Sequence, residues 1–95
     1  MAVLWSARAH NDLRGIWRYL LERNLDAAEA THRRIITSAG SLADHPRLGR
    51  AGRSPGTREL VVPGSPYIVV YRIVGEDVSI DHVWDGRRNG PIRTG

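Results

Sequence analysis

Tyr67-Ile68-Val69-Val70-Tyr71-Arg72-Ile73-Val74 is the most apolar and β-branched stretch of the chain. Such a segment, bounded by Pro66 and Gly75, predicts a strand covered on both faces and therefore a central one. Gly75-Glu76-Asp77 reads as a tight turn, and residues 78–84 predict the last strand. On the other side Pro63-Gly64-Ser65-Pro66 turns the chain, and residues 57–62 predict the strand before it. Three consecutive strands with such short links form an antiparallel meander. Period two would put Asp77, Asp81 and Asp85 on one sheet face, read here as a solvated acidic surface that keeps an edge soluble.

Residues 47–56 have no hydrophobic period; they form a glycine- and arginine-rich loop. Upstream of it the period changes to that of helices. Ala9, Leu13, Ile16, Trp17, Leu20 and Leu21 recur at spacings of three and four, with Ser6 as a cap and Asn24 as a stop. Asp26 and Glu29 resemble a capping box for a second helix, whose stripe is Ala28, Ile35, Ile36, Ala39, Leu42 and Ala43 and which Pro46 ends. So short a link makes the two helices an antiparallel hairpin. Residues 2–5 predict a short strand. The order is β-α-α-β-β-β. This is an α+β fold, a helical hairpin packed on one face of a small, mostly antiparallel sheet.

The chain has 95 residues, which make one domain, 1–95. The apolar runs are far short of a membrane span, and residues 1–5 lack the features of a secretory leader, so a cytoplasmic protein without a membrane partner is expected. There is no cysteine, hence no disulfide, thiolate nucleophile or cysteine-held zinc. All 14 basic residues are arginine, and the net charge is +4. A GC-rich genome would account for the missing lysine. The chemistry follows regardless: guanidinium groups fork onto phosphate or carboxylate, which suits a polyanionic or strongly acidic partner.

Walker-type phosphate loops, nucleophile elbows and H-E-x-x-H motifs are absent. His10, His32, His45 and His82 lack ligand spacing, so neither a metal nor a cofactor is expected. Arg50, Arg53, Arg58, Arg72, Arg87 and Arg88 lie on segments that a meander brings together. Arg72 in its apolar strand needs either a salt bridge, with Glu59 as the candidate, or a place on a binding surface. By alternation His82 shares a face with Val78, Ile80 and Trp84, which favours a half-buried structural histidine over an acid–base catalyst. Trp5, Trp17 and Tyr19 lie close to the hairpin; core packing is the reading for Trp17, and a groove for a partner helix the alternative.

An ordered set of residues carries a resemblance along nearly the whole chain. It comprises Trp5-Ser6-x-x-Ala9, Asp12-Leu13, Ile16, Tyr19, Asn24, Ala27-Ala28, Leu42 and Pro46. Gly49-Arg50-x-Gly52-Arg53, residues 56–61, residues 66–72 and Gly86-Arg87-Arg88 complete it. In these the chain resembles the RelE/ParE superfamily of toxins from type II toxin–antitoxin modules. The resemblance implies a toxin neutralised by direct binding of its cognate antitoxin, with operator DNA reached only through that antitoxin. ParE-like members poison DNA gyrase; RelE-like members cut mRNA on the ribosome without a metal.

The chain departs from the nuclease pattern at several positions. Ile68 stands where nucleases commonly carry arginine, and Glu59 and Val61 where they carry lysines. Asp85 replaces the histidine of a His-Gly-Arg, and residues 89–95 contain neither Tyr nor His. The expectation is therefore a gyrase poison that contacts its target through Arg50, Arg53, Arg87 and Arg88. The alternative is an endoribonuclease using Arg58, Arg72, His82 and Arg88. In either case Leu13, Trp17, Leu20 and Ile36 are expected to line an apolar groove for the antitoxin.

Overall fold

The structure, a computed structural model, describes residues 1–88; the tail 89–95 lies outside the described residues. In chain order it comprises β1 (Val3–Trp5), α1 (Ala7–Leu21), α2 (Leu25–Ser41), β2 (Arg50–Ala51), β3 (Arg58–Val61), β4 (Tyr67–Val74) and β5 (Asp77–Asp85). The sheet order is β1-β5-β4-β3-β2, with β1 parallel to β5 and the other pairs antiparallel. The predicted central strand is central, and the α+β class and the hairpin-on-sheet arrangement hold. β2 was not expected. Two residues have no period, and this strand exists only because Arg50 and Ala51 pair with Glu59 and Arg58.

Ser6 starts α1 with an extended backbone and a side chain that accepts the Ala9 N–H at 3.0 Å. The Ser6 hydroxyl also donates to the Asp81 carbonyl at 3.1 Å, which ties the start of the helix to β5. Asn24 does more than stop α1. Its side chain accepts the Ala27 N–H at 3.0 Å and caps α2, so the Asp26–Glu29 box is not the cap. Asp26 sits instead in the first turn, where a carboxylate complements the helix dipole. Pro46 does not end α2 either. The chain leaves the helix earlier, where the N–H groups of Leu42 and Ala43 turn back to the Ala39 and Gly40 carbonyls, both at 3.1 Å.

The core lies between the hairpin and one sheet face: Ala9, Ile35, Ala39 and Leu42 meet Leu60, Val62, Val69, Tyr71, Val78, Ile80 and Val83. Alanines at 9, 28 and 39 are fully buried and let the helix backbones approach closely. Of the predicted second stripe, Ile36 is 42% exposed. It stands about 100° round the helix from Ile35, and only one of the two can face the sheet.

A bulge overturns two expectations for β5. Val70 is opposite His82 while Tyr71 is opposite Ile80, so Asp81 is the extra residue. Beyond it the alternation flips: Val83, not His82, continues the core face of Val78 and Ile80. The three aspartates do not form a solvated acidic face. Asp77 accepts the Ala2 N–H, Asp81 pairs with Arg72, and Asp85 pairs with Arg87. Among the described residues no helix is long and apolar enough to cross a membrane.

Candidate functional site

Glu59, 3% exposed, gathers the arginines at one end of the sheet. Arg50 stands opposite it across the β2–β3 ladder, with Nη2 at 3.6 Å from Oε1. Arg53 Nε lies 3.7 Å from the same oxygen, and the Arg53 backbone N–H donates to Oε2 at 3.0 Å. The tight turn behind them needs Gly52, since a Cβ there would collide with the Thr57 hydroxyl. Arg53 also stacks over Trp84, its guanidinium carbon 4.7 Å from the ring centroid. Replacing Glu59 with alanine is expected to cost about 1–3 kcal/mol. The arginines rehydrate, but the Arg53 N–H loses its acceptor. Urea denaturation measures this, and a loss near zero would show that the cluster does not hold the loop.

The predicted Arg72–Glu59 pair does not form. Register sets Glu59 against Val70, and the bulge brings Asp81 beside Arg72, whose Nε donates to Asp81 Oδ2 at 2.7 Å. The Arg72 side chain is 53% exposed, so its charge sits at the surface and not in an apolar layer. Arg58 donates to the Gly49 carbonyl at 2.8 Å and so staples the loop. Arg87 binds Asp85 through Nε at 3.1 Å and Nη2 at 2.8 Å. That side-chain hydrogen bond chiefly holds the Asp85 carboxyl below its usual range, against the opposing effect of burial. The predicted arginines therefore divide into groups: Arg50 and Arg53 together on Glu59, Arg87 on Asp85, Arg58 and Arg72 on separate partners.

Sequence reasoning gave Asp12 no role of its own, yet it organises the neighbourhood of His82. From α1 its Oδ2 lies 2.6 Å from His82 Nδ1 and accepts the Val83 N–H at 3.0 Å. The carboxylate assigns the proton to Nδ1. The other ring nitrogen, Nε2, is buried without a hydrogen-bond partner among the described residues. An Asp-oriented imidazole is half of an acid–base device; here it also docks α1 on the free edge of β5. The only sequence signal was an aspartate within a helix on the flank of its apolar stripe.

On the outer face of the hairpin, Leu13 and Trp17 line one shallow hollow with His10, Arg14 and His32. Trp17 and Ile36 line an adjoining one with Glu29, His32 and Arg33. Trp17 meets His32 edge to face at 5.6 Å between ring centroids. It is thus a groove residue, contrary to the core-packing reading. Leu20 packs against the core instead and lines neither hollow. Among the described residues no three His, Asp or Glu side chains come together as metal ligands.

A helical hairpin on a five-stranded mixed sheet is the fold shared with solved chains of the ParDE and RelBE toxin–antitoxin complexes. The chain belongs to the family described as the ParE toxin of the type II toxin–antitoxin system parDE, whose sequence model matches residues 3–90. Toxin ParE3 of Caulobacter vibrioides is 40% identical over 81 residues, which are 82% of this chain and 79% of that protein. Toxin RelE1 of the same organism is 34% identical over 86 residues, 88% of this chain and 91% of that one. A solved chain of the chromosomal ParDE system from P. aeruginosa shares the fold. Its TM-score is 0.76 at 23% identity, with 87% of this chain and 92% of that chain covered.

Proposed function

We propose that this toxin arrests growth by poisoning DNA gyrase and that its cognate antitoxin neutralises it on the hairpin. One observation carries the first part. On the strands where the resemblance would place a nuclease's phosphate-binding groups, Ile68 is 6% exposed and Glu59 is spent on Arg50 and Arg53. Neither side chain can stabilise a developing phosphorane, and the negative Glu59 would repel one. What the region offers a partner is a guanidinium and indole surface of Arg50, Arg53 and Trp84, continued by Arg87 and Arg88. Such surfaces suit a large acidic protein or protein–DNA target. The ribonuclease alternative is weaker, because its acid–base candidate, His82, is held by Asp12 through Nδ1 and has its other nitrogen buried.

Leu13, Trp17 and Ile36 fit the antitoxin, since apolar hollows flanked by Arg14 and Arg33 suit an acidic amphipathic segment. The test for the target sets a gyrase supercoiling assay beside an in vitro translation assay, both with purified toxin. Supercoiling should fail and cleaved DNA accumulate while translation continues, and His82→Ala should behave like the wild type. Codon-positioned mRNA cleavage lost in His82→Ala or Arg88→Ala would replace this reading with the ribonuclease.

A further inference from the structure

Between α1 and the ends of β4 and β5 lies a cleft of about 500 Å³, within the range of small-ligand sites. Apart from Arg88 and Trp84 on its rim, the gyrase reading makes no use of it. Two carboxylates stand in its walls, and both are engaged from within: Asp12 by hydrogen bonds from His82 and the Val83 N–H, Asp85 by the ion pair with Arg87. Two guanidinium groups are not. Arg8 and Arg88 line the cleft, are exposed, and have no carboxylate within ion-pair distance among the described residues.

The remaining walls combine Asn11, Gly15 and His82 with aromatic and apolar side chains. Tyr19 carries Arg23 on one ring face, the guanidinium carbon 3.7 Å from the centroid, and lines the cleft beside Ile16 and Tyr67. Burial, and after it the Asp85 carboxylate, push the Tyr67 hydroxyl above its usual range, so it stays a neutral donor. His82, another wall, has its Nε2 buried and unsatisfied, a rare state in a folded protein.

We propose that this cleft binds a nucleoside monophosphate, with the phosphate held by Arg8 and Arg88 and the base laid against Tyr19 and Ile16. Two guanidinium forks match the several oxygens of a phosphate. Aromatic walls stack any base, which makes the site tolerant of base identity. A simple carboxylate would engage one fork and leave the aromatic wall uncovered.

The test is a titration of the purified toxin with AMP, inorganic phosphate and adenosine separately, followed by NMR on the His82 and Tyr67 ring signals. AMP should saturate these shifts, and phosphate should move the same signals at least about tenfold more weakly. Arg8→Ala should weaken AMP by about tenfold or more with the fold unchanged, since Arg8 is exposed. Three results overturn the proposal: no saturable shift with AMP at millimolar concentration, equal affinity for phosphate and AMP, or wild-type binding by Arg8→Ala. Supercoiling inhibition is read in a separate assay, so the failure of one proposal is distinguishable from the failure of the other.

Discussion

Exchanging Arg87 and Arg88 for glutamate is expected to abolish growth arrest while leaving the protein folded. Both side chains are exposed, and their sole ion pair among the described residues is that of Arg87 with Asp85. That pair is intact at neutral pH. Because Asp85 titrates below its usual range, the stabilisation it provides is present above the ordinary carboxylate range and is lost only as pH falls through the depressed value. Breaking the pair leaves the Asp85 carboxylate, only 13% exposed, with the residue-87 backbone N–H as its donor, so some stability is lost; Arg88→Glu alone breaks no ion pair among the described residues and is the control for folding. The functional cost is large, because charge reversal turns attraction to an acidic partner into repulsion. Association rates steered by such patches change by about 10–1000-fold. The toxin concentration that half-inhibits supercoiling should rise accordingly, with an unchanged circular dichroism spectrum. Retained potency would remove the segment after β5 from the target contact and leave Arg50 and Arg53 as the surface.

Tyr71 is where stability should be most sensitive. Its side chain is fully buried, and the hydroxyl accepts the Gly49 N–H at 2.9 Å while donating to the Pro46 carbonyl at 2.7 Å. The loop from α2 to β2 is thus fastened to the central strand through one phenol. Gly49 has to be glycine for this, because a Cβ there would sit 2.8 Å from the Tyr71 ring. Tyr71→Phe keeps the packing and leaves a buried N–H without an acceptor, at a cost of about 1–3 kcal/mol. Tyr71→Ala adds a cavity and should cost about 3–5 kcal/mol, a large share of the roughly 5–15 kcal/mol that stabilises a domain. For a chain of this length Tyr71→Phe should lower Tm by roughly 4–20 °C. Thermal denaturation measures it, and faster hydrogen exchange at Gly49 would localise it. An unchanged Tm would mean that Arg58, on the Gly49 carbonyl, holds the loop alone.

The features legible in the sequence are those carried by neighbours in the chain. Ser6 and Asn24 are caps because a side-chain oxygen reaches an N–H three residues on; the sequence marks the first as a cap and the second only as a stop. Residues 67–74 are a central strand because β-branched and aromatic side chains favour one; residues 67–71 are buried on both faces, while Arg72 and Val74 at its far end are exposed. Ala9, Leu13, Ile16 and Leu20 of α1 and the buried positions of α2 followed from helical period, whereas Leu21 is exposed and Trp17 lines the outer groove; the element order, short of β2, followed from the turns. The superfamily could be named at that level, because its pattern is an ordered set of such local features.

What the tertiary structure alone decided is which charges meet. Glu59 is separated by six residues from Arg53, Arg72 by nine from Asp81, and Asp12 by 70 from His82. Their meeting depends on strand register, and one extra residue at Asp81 reverses which side of β5 faces the core. Period two carries no record of a bulge or of register, so the sequence put His82 on the core face and Arg72 beside Glu59. Pairing energies act through space after the backbone is placed, whereas period and capping act along the chain before it. Hence the fold could be read in advance, while the sharing-out of arginines among Glu59, Asp81, Asp85 and the open cleft could not.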